Sequence, residues 1–153
     1  MILLANRQIC NDKYFLNVAR NVSNKSTCLR RKYGAVIVRD NRIISTGYNG
    51  SPVGIPDCCE IGTCNREGMR HNDTDYSMCN AVHAEMNAII SANPLSRIGA
   101  TLYLYGQDIN GMLPSAEPCN ICLNLIRNSG IIKYKAYNNN KIITELIQEE
   151  TCN

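Results

Sequence analysis

Val82-His83-Ala84-Glu85-Met86-Asn87-Ala88-Ile89 places a histidine and a glutamate two positions apart, at the head of an apolar pattern with helical spacing. Further along comes Pro118-Cys119-Asn120-Ile121-Cys122, which also opens a helical pattern. One neutral imidazole and two thiolates make three protein ligands for Zn²⁺, and a tetrahedral ion then keeps one position open for water. Glu85 is near enough along the chain to His83 to sit beside that position and move protons without binding the metal. A lone His-x-Glu is common, and a lone Cys-x-x-Cys is ambiguous between redox chemistry, metal binding and chance. Together, in this order and each at a helix start, they point to zinc-dependent hydrolytic chemistry.

Working outward from these two stretches, the spacing predicts a helix over 80–93, stopped by Pro94, and another from Cys119 to Arg127, closed by Gly130. Proline is favoured near a helix start because its missing N–H is not needed there. A helix N-terminus favours negative charge, which helps ionise Cys119 and Cys122 for a metal. Thr101 to Tyr105 reads as a central strand and Ile131 to Tyr137 as another. Toward the N-terminus, Tyr33 to Val38 reads as a buried strand, Arg39-Asp40-Asn41-Arg42 as a hairpin turn, and Ile43 to Tyr48 as its partner. Tyr14, Phe15, Val18, Ala19 and Val22 repeat at helical spacing, with Asp12 as the expected N-cap. Lys141 to Glu150 fits a closing helix or a strand-helix edge. Helices alternating with strands on one sheet give an α/β fold, here a three-layer α/β/α sandwich around a mixed sheet of about five strands. Metal ligands from the starts of two helices converge at one end of such a sheet.

The 153-residue chain fits one domain, residues 1–153. The net charge of +3 suits an anionic small molecule and is too mild to mark a nucleic-acid binder. No apolar run approaches the ~18 residues of a membrane span, and the N-terminus lacks the basic start and longer apolar region of a secretory signal. The expectation is a cytoplasmic protein. In that setting nine cysteines argue for metal binding, with some buried thiols, over a disulfide framework.

Four of the nine lie in a long irregular stretch, 53–80, which calls for an explanation inside a compact domain. A second, structural Zn²⁺ is one, with Cys58, Cys59, Cys64, His71 and Cys79 as candidate ligands and Cys28 reaching in from elsewhere. Four are needed for a closed site. The other explanation is thiols that are free or buried singly. Gly47-Tyr48-Asn49-Gly50-Ser51-Pro52 marks a tight turn at a strand end, where Asn49 either serves the turn alone or offers its amide to a ligand. Arg30, Arg31 and Lys32 form either a solvated face or part of a phosphate site. Arg97 is a further phosphate candidate.

Four segments carry a resemblance: Gly34-Ala35-Val36-Ile37-Val38, the Gly47 to Pro52 turn, His83 to Ile89, and Pro118 to Cys122. From about Asp12 to Tyr137 the chain resembles the cytidine/deoxycytidylate deaminase superfamily. His-x-Glu followed by Pro-Cys-x-x-Cys marks the superfamily, and Gly-Tyr-Asn-Gly-x-Pro points to its deoxycytidylate (dCMP) branch. The resemblance implies deamination of dCMP to dUMP with release of ammonia, supplying dUMP for thymidylate synthesis. It implies His83, Cys119 and Cys122 as zinc ligands, Glu85 as proton shuttle, Asn49 near the sugar and Ala84 at the pyrimidine edge; a nucleotide substrate would also need a phosphate contact, for which Arg30 is a candidate beside Arg31, Lys32 and Arg97. It also implies a regulatory nucleotide site beside Gly47, Tyr48 and Gly50, where dCTP activates and dTTP inhibits, with Mg²⁺ accompanying a triphosphate. Such enzymes are often hexamers, and some carry a second zinc. The chain departs from the pattern at 106–117, an inserted loop where the family has a short link, placed where a pocket wall belongs. The same scaffold also serves other nucleoside, nucleotide, guanine, riboflavin-precursor and tRNA-adenosine deaminases. A zinc-stabilised nucleotide-binding module without turnover and a thiol redox protein are the readings from other classes.

Overall fold

The computed structural model describes residues 2–69 and 77–148, with side chains from residue 6 onward. His71 and Cys152 lie outside the described residues. The elements in order are α1 (Ile2–Ser23), β1 (Lys32–Arg39), β2 (Arg42–Tyr48), α2 (Cys58–Ile61), α3 (Ala84–Ser91), β3 (Thr101–Asp108), β4 (Gly111–Met112), α4 (Asn120–Asn128), β5 (Lys133–Asn138) and β6 (Lys141–Leu146). Five strands follow one another across the sheet in the order β2-β1-β3-β5-β6, and the two-residue β4 adds a sixth against β3. The sheet is mixed: β3 and β5 run parallel, and the other pairs are antiparallel. Among the described residues no helix is long and apolar enough to cross a membrane.

Period-two alternation of the strands sorts their side chains into two cores. Val36 and Val38 of β1, with Tyr103 and Tyr105 of β3, pack on Phe15, Leu16 and Ala19 of α1. Ala35 and Ile37, with Leu102 and Leu104, face the other way onto Ala84, Ala88 and Ile89 of α3 and Ile126 of α4. The result is the expected three-layer sandwich. Two glycines set the layer spacing. A Cβ on Gly34 would lie 2.1 Å from the Ala19 carbonyl oxygen in α1, and one on Gly47 would lie 2.2 Å from the Ala88 nitrogen in α3. β1 therefore touches the backbone of one helix layer and β2 that of the other.

Three expectations change. The first helix runs back to Ile2, so Asp12 is inside it and is not its N-cap. Its carboxylate is instead buried against the sheet, 2.6 Å from Lys135 Nζ, and accepts the Tyr103 hydroxyl at 2.8 Å. Tyr14, read as part of the apolar stripe, is 58% exposed. The last element is a strand with no helical part among the described residues. Asn139 and Asn140 have φ of 46° and 63°, the pair of left-handed residues of a type I′ turn, and they fold β6 back antiparallel onto β5. Asp40 and Asn41 (φ 49° and 60°) make the same turn between β1 and β2, as expected from the sequence.

The inserted 106–117 segment continues β3 and turns back as β4. Leu113 and Ala116 are buried beneath it, and Ser115 bridges to Asn138 while the Asn139 N–H reaches the Pro114 carbonyl at 2.7 Å. This segment is fastened to the sheet along its length.

Candidate active site

His83 and Cys119 occupy the N-cap positions of α3 and α4, with extended backbone (φ −70°, ψ 153° and φ −69°, ψ 165°). Neither side chain caps its own helix, although a cap position favours Ser, Thr, Asp or Asn for that job. Both side chains point instead toward each other. His83 Nδ1 lies 3.6 Å from Cys119 Sγ and 3.4 Å from Cys122 Sγ. Among the described residues, these three form the group whose donor atoms all fall within 4.8 Å of one another. One imidazole and two thiols in a tripod, at the starts of two helices, fit Zn²⁺ with one position left open.

Glu85 stands in the first turn of α3 and is 5% exposed. Burial pushes its carboxyl above the ordinary glutamate range. Its own backbone N–H, the nearby His83 and a hydrogen bond with Cys122 pull the other way without overcoming this. The Cys122 thiol is pushed up in turn by burial and by the charges of Glu85 and Cys119. A carboxyl raised this way, in contact with a thiol of the His83 group, is suited to take up and release protons.

These groups open on a cavity of about 220 Å³ whose wall includes Glu85, His83, Cys119, Ala84 and Asn49. Arg30, Arg31 and Arg66 also line it, as does Glu117 from the inserted segment. The site lies beyond the start of β1 and the end of β2, which pair there (Gly34 with Tyr48). The turn after β2 fixes α3 against the sheet. Gly50 and Val82 form an isolated bridge, Asn87 Nδ2 donates to the Tyr48 carbonyl at 2.8 Å, and Ser45 Oγ donates to the Ala88 carbonyl at 2.7 Å. Gly47 and Gly50 thus hold the helix that carries the site, and Tyr48 remains 38% exposed at the surface.

Asn49 is buried and braces the entry to β1. Its Nδ2 donates to the Arg31 carbonyl at 2.9 Å, and its Oδ1 accepts the Tyr33 N–H at 2.7 Å. An amide nitrogen carries two N–H donors, so one is committed to this brace. Arg30 is also a strap: Nη1 donates to the Arg66 carbonyl and Nη2 to the Met69 carbonyl, both at 2.8 Å. Arg97 is apart from the cavity, with Nη1 on the Ile89 carbonyl at 2.8 Å. Sequence reasoning missed Arg66, 8% exposed in the cysteine-rich stretch, and nothing in its local sequence distinguishes it.

The cysteine-rich stretch sorts its thiols. Cys58 opens α2, whose N-cap Asp57 forms a capping box with Glu60. Cys64, Cys28 and Cys79 crowd Cys58, which is also hydrogen-bonded to Cys64. Burial and these neighbours push the Cys58 thiol up to about 11. Cys59 bonds the Thr27 carbonyl at 3.2 Å and has no part in that set. The four crowded thiols do not reach the mutual 4.8 Å spacing of the His83 group.

The family described as cytidine and deoxycytidylate deaminase zinc-binding region matches residues 10–137. The deoxycytidylate deaminase of Mycobacterium phage D29 is 43% identical over 126 residues, covering 78% of this chain and 88% of that one. That of Schizosaccharomyces pombe is 34% identical over 142 residues, covering 90% of this chain but 41% of that longer protein. The dCMP deaminase of cyanophage S-TIM5, solved in complex with dCMP and dUMP, is 26% identical with a TM-score of 0.59, covering 82% of this chain and 79% of that one. With the His83, Cys119 and Cys122 tripod inside the matched span and the sandwich fold around it, the chain belongs to the cytidine and deoxycytidylate deaminase family.

Proposed function

We propose that this single domain hydrolyses the exocyclic amine of dCMP, giving dUMP and ammonia. The observation that carries the proposal is the buried Glu85 beside the His83, Cys119 and Cys122 tripod, in one cavity with three arginines. Relatives named deoxycytidylate deaminase support dCMP over other bases, as does the S-TIM5 structure holding dCMP and dUMP.

His83, Cys119 and Cys122 would hold Zn²⁺, which when bound would supply Lewis acidity and make a water far more acidic than in bulk. Glu85 accepts a proton from the attacking water and delivers it to N3 of the pyrimidine as the oxygen adds at C4. It then carries a proton to the leaving amine, so water is consumed and ammonia released. The backbone at Ala84, fixed by the α3 start, holds the pyrimidine edge. The Asn49 amide faces the sugar with its second N–H.

The test is ammonia release from the zinc-loaded protein with dCMP, CMP, deoxycytidine, dCTP and cytidine, beside Glu85→Ala. Turnover of dCMP that Glu85→Ala abolishes, with zinc retained, is the expected outcome. Turnover of another member instead overturns the substrate assignment. Binding without turnover moves the chain to a nucleotide-binding module.

A second, structural Zn²⁺ on Cys28, Cys58, Cys64 and Cys79 belongs to the same proposal, supported by the crowding of three thiols around Cys58. Metal analysis after removal of adventitious ions should find two zincs per chain, and one would exclude it. The Gly47 to Gly50 turn, with Tyr48 at the surface, is proposed to border a dCTP and dTTP effector site, with Mg²⁺ on the triphosphate. Ile90, Leu95 and Ile98 expose apolar side chains at 74%, 76% and 53%, which supports a homo-oligomer, a hexamer in the family's manner. Light scattering with and without dCTP tests both. All eight described cysteines are free thiols, which supports a cytoplasmic setting.

A further inference from the structure

We infer that a basic crevice at the sheet end opposite the His83 group binds a small phosphate-bearing anion, at a site separate from the catalytic cavity. The catalytic cavity opens at the start of β1, where Tyr33 and Asn49 line it. The crevice lies at the other end of β1, beside Val38 and Arg39, and over Thr101 and Lys133 at the starts of β3 and β5. Arg7 and Asn11, one helical turn apart on α1, form its far wall. Its volume of about 440 Å³ is that of a small-molecule site.

Two lysines stand where packing alone calls for apolar residues. Lys133 pairs with Thr101 and Lys135 with Tyr103, and these face Val38 and Val36 across β1. Both lysines therefore share the sheet face that packs on α1. Lys135 has a structural answer. Asp12 holds its buried ammonium at 2.6 Å, and Gln8 and Tyr103 donate to the same carboxylate. An ammonium carries three N–H donors, so Lys135 keeps donors to spare. Arg39 is answered by Asp40 at 3.7 Å and the Leu95 carbonyl at 3.3 Å. Arg7 and the half-buried Lys133 form no ion pair among the described residues. Asp40 is the sole carboxylate in the wall, and Asp12 is spent beneath it. Four cations from three elements thus meet two carboxylates, an excess of two positive charges. A guanidinium fork beside two ammonium groups, with that excess, suits a compact anion of several oxygens and at least two negative charges, which is a phosphate or diphosphate group.

The experiment titrates inorganic pyrophosphate calorimetrically into the zinc-loaded protein at low ionic strength. Wild type is compared with Arg7→Gln, Lys133→Gln and Arg31→Gln, the last as a control for anions drawn to the catalytic cavity. Hydrogen bonds to charged groups carry enough energy that one binding event should weaken about 10- to 100-fold in each crevice variant, while persisting in Arg31→Gln. The crevice variants change side chains outside the catalytic cavity, so their unliganded melting should stay level with wild type. Pyrophosphate should raise the melting temperature of wild type more than theirs. Absence of saturation at millimolar pyrophosphate would overturn the inference. So would equal affinity in wild type and both crevice variants, or loss of all binding in Arg31→Gln. Binding of a single-stranded DNA oligomer in place of pyrophosphate, weakened by the same two variants, would assign the crevice to a nucleic acid and also overturn it. None of these readouts uses turnover, so they stand whether or not dCMP is deaminated.

Discussion

Gly50 and Val82 exchange two backbone hydrogen bonds, the Gly50 N–H reaching the Val82 carbonyl at 3.2 Å and the Val82 N–H the Gly50 carbonyl at 2.9 Å. Val82 directly precedes His83, so the turn after β2 fixes where the tripod's imidazole begins. Gly47 completes the attachment by letting the α3 backbone pack directly on β2. An added Cβ there would lie 2.2 Å from the Ala88 nitrogen and 2.4 Å from the Ala84 carbonyl oxygen, neither of which can move without moving α3. Gly47→Ala is therefore expected to cost about 3 kcal/mol of stability and to lower activity further by displacing His83 and Glu85. Urea unfolding beside steady-state kinetics checks this. A variant as stable and active as wild type would show that the packing is softer than the contact distances require.

Glu85 gives a prediction whose sign depends on the metal-free state. Burial raises its folded pKa above the ordinary 4.5. The folded protein therefore prefers the protonated carboxyl, and the stability this group allows is fully present below about pH 4.5 and lost as pH rises through the raised value. Removing the charge should then help. Metal-free Glu85→Gln is expected to melt above metal-free wild type at pH 8, with the difference closing toward pH 4. In the zinc-loaded protein the same change should cut turnover about 10²- to 10⁴-fold. Equal melting of the two metal-free proteins at pH 8 would mean that the buried carboxyl finds a compensating partner.

What could be read from the chain beforehand was local. His83, Glu85, Cys119 and Cys122 were legible because each pair lies within one helical turn, where spacing alone fixes which side chains meet. The β1–β2 turn was legible because Asp40 and Asn41 are residues that tolerate left-handed backbone. Asn139 and Asn140 carry the same message, yet Lys-Ile-Ile-Thr-Glu-Leu after them suits either a strand or a helix edge, and only pairing with β5 decides it. Asp12 looked like a cap because a short acidic residue ahead of an apolar stripe usually is one. Its actual partner, Lys135, is 123 positions away. Spacing also could not tell Cys58 from Cys59, since neighbouring residues at a helix start point in different directions.

The Asp12–Lys135 pair is predicted to be costly to break and cheap to replace. Both side chains are under a tenth exposed, with 2.6 Å between them. Lys135→Met leaves a buried carboxylate with Tyr103 and Gln8 as its side-chain donors among the described residues, and a loss of about 3–5 kcal/mol is expected. Asp12→Leu combined with Lys135→Met removes both charges and should recover most of that loss. Tyr103→Phe should cost about 1 kcal/mol. Denaturant melts of the four proteins decide it, and a double variant as weak as Lys135→Met would mean that the pair organises the sheet beyond its own charges.

The crowded thiols make the metal-free protein sensitive to alkaline pH. Burial first, then Cys64, Cys28 and Cys79, raise Cys58 from 9.0 to about 11. A raised thiol favours the folded state while protonated, so its contribution is present below about pH 9 and fades as pH rises through about 11. Other groups titrate in that range, so the comparison that isolates this effect is with Cys58→Ser. Reduced, metal-free wild type should lose stability relative to Cys58→Ser between pH 9 and 11.5, and the two should run parallel below pH 8. Zinc requires the thiolate, so loading should erase the difference in slope and release protons measurable in weakly buffered solution. Parallel melting across the whole range would show that Cys58 is not crowded in the way its neighbours imply. Proton release without a change in slope would place the metal on other thiols.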